Sequence, residues 1–205
     1  MSGEAEQRKG RQGAMLAKRW LERTTRVNRS LLNPDGMAAK KLTLQKAKYD
    51  NVNSVFSFDL GGSFRGGDLD GQDFMAECKK YATASDLPKH FRAFLAHCYR
   101  AIAIDHHMAD QLLWISFAPH GGDKWDKLSG TEAVKQAVLH KDLVDVNFKE
   151  GEDPDELFSD DIAAEVSKRV SILILSEWQI ENLIMSQEHH GVIEKYIVEN
   201  AKEVM

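Results

Sequence analysis

The charged side chains between positions 66 and 81 are the residues of this sequence whose types and spacing suggest chemistry. The segment reads GGDLDGQDFMAECKKY, and we predict a β-hairpin with a two-residue turn at Gly71-Gln72. Side chains alternate across a strand, so one face of this hairpin is predicted to carry most of the charge: Asp68, Asp70, Asp73, Glu77 and Lys79. The alternate positions are predicted to face the core: Phe74, Ala76 and Cys78.

Carboxylates crowded on one face repel one another unless a cation lies between them. Oxygen ligands select a hard divalent ion, so the face predicts a site for Mg²⁺ or Mn²⁺. Asp68 is the preferred partner of Glu77 because it lies diagonally across the predicted hairpin. Asp70, at the turn, is the alternative, and a longer connection would reverse that choice.

An acidic residue on one strand, Glu-x-Lys on the next, and then a helix and a further strand resembles the PD-(D/E)xK nuclease superfamily. Glu77-Cys78-Lys79 is the single Glu-x-Lys in this sequence. The resemblance covers about positions 12–117 and leaves the last third of the chain unexplained. It implies a restriction-endonuclease-like fold.

The resemblance also implies roles for individual residues. Asp68 (or Asp70) and Glu77, with the backbone carbonyl of Cys78, would hold Mg²⁺, and Lys79 would orient or deprotonate a water. The implied reaction is hydrolysis of DNA phosphodiester bonds, in a restriction or anti-phage defence setting. Basic residues near the motif are the candidates for binding nucleic acid: Arg65, Lys80, Lys89 and Arg100.

A stand-alone DNA-cutting enzyme usually has more positive charge near its cleft than this chain with its acidic C-terminal third, so we expect a homodimer or the nuclease subunit of a larger complex. A dimer would also place two active sites on two strands, as double-strand cutting requires. Two functions from other classes remain open. The first is a catalytically silent nuclease-fold scaffold in a nucleic-acid-processing complex. The second is a protein-interaction module whose acidic C-terminal third binds a basic partner.

The composition is that of an ordinary globular protein, with 42% apolar and 29% charged residues among 205. The apolar runs are shorter than the roughly 20 residues of a membrane span, and an N-terminus without an apolar secretory stretch predicts a cytoplasmic protein. The first 50 residues contain 12 Lys and Arg against 5 Asp and Glu, whereas positions 151–205 contain 4 against 13. This asymmetry suggests that the basic N-terminal segment binds phosphate backbones and that the acidic C-terminal third binds a basic protein surface. The alternative is that both segments are solvated faces.

The periodicity predicts an α/β fold with a mixed central sheet flanked by helices. We divide the chain into a basic N-terminal helix and loop (1–50), a nuclease core (51–150) and an acidic, mainly helical extension (151–205). Predicted helices cover positions 12–23, 86–104 and 130–140, and predicted strands cover 55–60, 74–81 and 110–117. Positions 26–45 are predicted to be loop and short helix. Positions 162–185 are predicted to be helical, with 169–175 as an alternative strand. Positions 166–185 are predicted to form either an interface or an internal core helix.

Overall fold

The computed structural model describes residues 3–48, 54–80, 85–119 and 121–200. A five-stranded mixed sheet forms its centre, with the strand order β1-β4-β5-β6-β7. β1 and β4 pair antiparallel, as do β4 and β5, whereas β5, β6 and β7 run parallel. The strands of this sheet are β1 Val27–Leu32, β4 Leu60–Phe64, β5 Asp73–Lys79, β6 Gln111–Ser116 and β7 Val170–Ile174. β2 (Thr43–Gln45) and β3 (Val55–Ser57) form a separate antiparallel pair.

Helices cover both faces of the sheet, which confirms the predicted α/β class with a mixed sheet. The helices are α1 Gly3–Thr24, α2 Met37–Leu42, α3 Leu87–Ala103, α4 Thr131–Val138, α5 Val144–Asn147, α6 Pro154–Leu157, α7 Asp160–Arg169, α8 Glu177–Asn182 and α9 Gln187–Glu199. On one face, buried side chains of α1 pack against Phe74, Ala76 and Cys78 of β5. On the other face, α3, α4 and α7 pack over Met75 and Trp114. Among the described residues, no helix is long and apolar enough to cross a membrane.

Several local predictions are confirmed because their signals lie within one element. The first helix, the strand β5, the helix α3 with Pro88 in its first turn, the strand β6 and the helix α4 all form where the periodicity places them. Tyr81, the predicted end of the second hairpin strand, lies outside the described residues.

The prediction of loop and short helix over positions 26–45 is wrong in part, because this segment also contains β1. β1 is an edge strand whose pairing with β4 shifts register between Val27 and Arg29. Its sequence VNRSLL therefore lacks the period-two alternation by which a strand is recognised. The predicted strand over 55–60 is likewise interrupted, since β3 ends at Ser57 and β4 begins at Leu60.

The predicted two-residue turn at Gly71-Gln72 is also wrong. β4 ends at Phe64 and β5 begins at Asp73, so positions 65–72 connect them through a 3-10 turn at Gly67–Leu69. Gly66, Gly67 and Gly71 have φ values of 73°, 70° and 76°, a region that glycine enters without steric cost. The glycines of this segment therefore shape a long connection.

The C-terminal third is helical except for β7, so the alternative strand over 169–175 is confirmed. β7 pairs with β6 along its whole length, and Val166 of α7 is fully buried in the core. The sequence predicts either an interface or an internal core helix over positions 166–185. The residues of α7 and β7 within this range lie inside the fold. The central sheet takes strands from all three segments into which the sequence is divided.

Candidate active site

Asp59 lies beside Glu77 because of the register of β4 and β5. Leu60 pairs with Ala76, so the residue before β4 meets the residue after Ala76. The Asp59 N–H donates to the carbonyl of Ala76 at 3.0 Å. The N–H of Cys78 donates to Asp59 Oδ2 at 2.9 Å. Main-chain hydrogen bonds thus hold this carboxylate next to the Glu-x-Lys motif.

Lys79 joins the two carboxylates because it lies two residues after Glu77, on the same face of β5. Its Nζ forms a close ion pair with Glu77 Oε1 and lies 3.9 Å from Asp59 Oδ2. The side chains of Glu77, Lys79 and Asp59 are 15%, 19% and 35% exposed. We refer to these three residues as the acid–lysine cluster.

Burial makes the charged forms of both carboxylates unfavourable. It raises the pKa of Glu77 to about 7, and the negative charge of Asp59 acts in the same direction, while Lys79 opposes both. The pKa of Asp59 is also raised by burial, against the opposing effects of Lys79 and the Cys78 N–H. Two neighbouring carboxyl groups with raised pKa values make the acid–lysine cluster a candidate functional site.

The helix α3 adds two histidines on the side of the sheet that carries Glu77 and Lys79. His97 stacks on Phe56 with ring centroids 4.1 Å apart. Burial lowers the pKa of His97 to about 3, helped by the positive charges of Lys46 and Lys79. The pKa of His90 is lowered by burial and by Lys79. The positive charge of Lys79 therefore contributes to the lowered pKa of both histidines.

Asp68 and Asp70, the sequence-predicted partners of Glu77, do not lie beside it. The diagonal contact assumed for Asp68 is wrong because it required the two-residue turn. Asp68 is exposed in the 3-10 turn, beyond the paired end of the hairpin at Asp73. Glu77 lies four residues further along β5, or about 13 Å. The carboxylate of Asp70 instead accepts a hydrogen bond from the N–H of Gly66 within the connection.

The other predicted site residues occupy different places. The side chain of Cys78 is buried against α1, and its N–H donates to Asp59 of the acid–lysine cluster. Lys80 forms an ion pair with Glu177 of α8. Arg100 Nε donates to the carbonyl of Gln45 at 3.1 Å.

Two further predicted nucleic-acid contacts, Lys89 and Arg65, are both exposed. Lys89 lies in the first turn of α3, near His90. Arg65 lies just after β4, at the opposite end of that strand from Asp59. The four predicted phosphate contacts therefore do not form one group.

Sequence reasoning missed Asp59 because the residue was counted as a polar position within one strand over 55–60. The available signal was the order of residues around it. Asp59 directly follows Phe58 and precedes Leu60-Gly61-Gly62, where an apolar alternation gives way to glycines. In an antiparallel hairpin, the start of the first strand lies opposite the end of the second strand. The connection over positions 65–72 sets the register in which Asp59 lies opposite Glu77.

Asp59 and Glu77 are the residues of the cluster that could hold a divalent ion such as Mg²⁺ or Mn²⁺. Within the described residues, no group of three or more His, Cys, Asp and Glu side chains is placed to hold a metal ion. Mg²⁺ does not require such a group, because it usually binds one or two carboxylates and completes its shell with waters and substrate phosphates. Asp59 and Glu77 supply those two carboxylates.

Comparison of the chain with family models, with curated proteins and with solved structures gives no match.

Proposed function

We propose that this protein is a Mg²⁺-dependent nuclease of the PD-(D/E)xK type that hydrolyses phosphodiester bonds in DNA. The observation that carries the proposal is the acid–lysine cluster, in which two partly buried carboxylates and one ammonium group meet on a β-hairpin. The order of elements along the chain also supports the proposal. It is helix, antiparallel hairpin, helix and parallel strand, the order that the resemblance to the PD-(D/E)xK superfamily implies.

Each residue of the cluster has a distinct role in the proposed reaction. Asp59 and Glu77 bind the metal ion, whose charge removes the repulsion between them. When bound, Mg²⁺ polarises the scissile phosphate and makes a water more acidic. Lys79 orients the attacking water and stabilises the negative charge that develops on the phosphate. Asp59 takes the place that the sequence alone suggests for Asp68.

The test is cleavage of supercoiled plasmid and of single-stranded DNA by the purified chain with Mg²⁺, Mn²⁺ or EDTA. We expect cleavage with either metal and none with EDTA. Asp59→Asn, Glu77→Gln and Lys79→Met should each reduce the rate by about 100-fold or more, because each removes a group that acts in the reaction. The melting temperature of each variant shows that it is folded.

Asp68→Asn is the matched control, since it removes an acid from the same hairpin outside the cluster. It should cleave at the wild-type rate. Loss of cleavage in Asp68→Asn but not in Asp59→Asn would show that Asp68, and not Asp59, is the carboxylate that the reaction needs. A wild-type chain that is inert with every metal, and whose melting temperature no divalent ion raises, would contradict the proposal as a whole.

A further inference from the structure

Five arginines line two adjoining cavities beside α1 and the edge strand β1. The larger cavity has a volume of about 700 Å³ and is lined by Arg26 and Arg65. The second, of about 580 Å³, is lined by Arg19, Arg23 and Arg29. Glu22 lines both cavities, so they are neighbours. We refer to these five residues as the arginine surface.

The positive charge of the arginine surface is not compensated by the protein. In the part of the chain that the structure describes, none of the five arginines forms an ion pair, whereas nearby Lys18 pairs with Glu22 and Arg11 with Asp35. Glu22 Oε1 also accepts hydrogen bonds from the N–H and hydroxyl of Ser30 at 3.0 and 2.7 Å, so three donors share this oxygen.

Asp35, which pairs with Arg11, lines the smaller cavity, and one further acid, Glu194 of α9, lines the larger cavity. Its side chain is 67% exposed, and its carboxylate lies 3.6 Å from Nδ1 of His190. An exposed carboxylate at the rim is screened by solvent and offsets little of the charge of Arg26 and Arg65. The surface therefore has a net positive charge and open space in front of it.

The type and spacing of these cations fit the phosphates of a nucleic-acid backbone. Arginine presents a planar fork of donors that matches the oxygens of a phosphate. Arg19 and Arg23 lie four residues apart on α1, or about 6 Å along the helix, a length over which one DNA strand carries about two phosphates. Arg26 and Arg29 continue the series through the end of α1 into β1.

We propose that the arginine surface binds the phosphate backbone of DNA at a distance from the cleavage site. The inference rests on the proposed nuclease function and states how its substrate is held. Arg65 and Asp59 lie at opposite ends of β4, six residues or about 20 Å apart. The separation along β4 therefore equals about six base-pair steps, at 3.4 Å per step along each strand.

The test measures binding of a fluorescein-labelled duplex of about 20 base pairs by fluorescence anisotropy, at salt concentrations between about 50 and 200 mM. EDTA is present throughout, so that binding is measured without cleavage. The variants are the full chain with Arg19→Gln and Arg23→Gln together, and with Arg26→Gln and Arg65→Gln together. Each pair should weaken binding about tenfold or more and reduce the slope of log K against log salt by about 2, since each lost phosphate contact contributes about 0.9.

The control carries Lys127→Gln and Lys141→Gln, two exposed lysines outside the arginine surface, and makes the same change in net charge. Its affinity and salt slope should equal those of the wild type. Arginine variants that bind like this control would overturn the inference, as would a polyglutamate that competes as well as unlabelled DNA. The latter would identify a surface for acidic proteins.

The failure of this inference and the failure of the proposed function give different results. If the wild type cleaves DNA and the arginine variants bind normally, the proposal that the arginine surface binds DNA is wrong and the nuclease proposal is supported. If the arginine variants lose binding and the wild type never cleaves, the DNA-binding surface is supported and the nuclease is wrong.

Discussion

The acid–lysine cluster places two carboxyl groups where burial disfavours their charge. The pKa of Glu77 is raised to about 7 by burial and by Asp59. A carboxyl group whose pKa is higher in the folded than in the unfolded chain binds more protons when folded. Its contribution to stability is therefore complete below the unfolded pKa of 4.5 and is lost as the pH rises through about 7.

Glu77→Gln should therefore stabilise the metal-free protein at high pH. In EDTA at pH 8 we expect its melting temperature to exceed that of the wild type by several degrees, and the difference should shrink towards pH 5. If the proposed metal site is right, Mg²⁺ at pH 8 should raise the melting temperature of the wild type and not that of Glu77→Gln, because a ligand that binds only the folded chain stabilises it. Differential scanning fluorimetry over this pH range measures all three effects.

Glu156→Gln removes an exposed carboxylate of α6 and serves as the control. Its melting temperature should follow that of the wild type at every pH and in both buffers. If Glu77→Gln is instead less stable than the wild type in EDTA at pH 8, the ion pair with Lys79 outweighs the burial of the carboxylate. The repulsion that motivates a metal site would then be absent.

Among the elements, β4 depends on two glycines for its position between its neighbours. A Cβ atom on Gly62 would lie 2.4 Å from the carbonyl oxygen of Arg29 on β1 and 2.9 Å from the ring of Phe74 on β5. A Cβ atom on Gly61 would lie 2.5 Å from Leu42 of α2. The close approach of these elements leaves no room for a side chain at either position.

Gly62→Ala should destabilise the protein by roughly 2 kcal/mol or more, because backbone atoms of β1 cannot move aside as a side chain would. The melting temperature should fall by about 4 °C or more for a chain of this size. Activity measured below the transition should also fall, since β1 and β4 must shift apart near Asp59.

Gly10→Ala is the control for this substitution, since its Cβ atom would meet nothing within 4 Å and alanine favours the helix α1. Its melting temperature should stay unchanged or rise slightly. A Gly62→Ala variant as stable as Gly10→Ala would mean that the strands are less closely packed than the structure places them.

On the scale of the whole molecule, the central sheet combines segments that are far apart in the sequence. β7 pairs with β6 from Leu112↔Val170 to Ser116↔Ile174, and Val166 of α7 is fully buried. In contrast, α9 has no buried residue, although His190 Nε2 lies 2.8 Å from the carbonyl oxygen of Glu22. Within the C-terminal third, α7 and β7 thus contribute to the core and the sheet, whereas α9 lies on the surface.

Two truncations should separate these contributions. Removal of positions 187–205 should change the melting temperature by only a few degrees, because α9 buries little apolar surface. Removal of positions 170–205 should abolish the cooperative transition, because it deletes β7 and uncovers the edge of β6. Circular dichroism melting curves of both proteins provide the measurement. Equal stability of the two truncated chains would contradict the role of β7 in the sheet.

The sequence alone predicted the elements whose signals are local. Alternation from Ala76 to Lys79 indicates β5, helical periodicity after an early proline identifies α3, and the single Glu-x-Lys places Glu77 and Lys79 on one face. These features depend on neighbouring residues only, because the periods of strands and helices are properties of the backbone. The α/β class follows from the order of such elements.

The tertiary structure decided which carboxylate meets Glu77 and which residues surround the site. The partner is Asp59 rather than Asp68, because the choice depends on the length of the connection over positions 65–72, which alternation does not reveal. β1 and β7 lack a clear local period, and their pairing with distant strands places them in the sheet. The arginine surface likewise combines α1, β1 and Arg65, which only folding brings together, since long-range pairing is set by the packing of the whole chain.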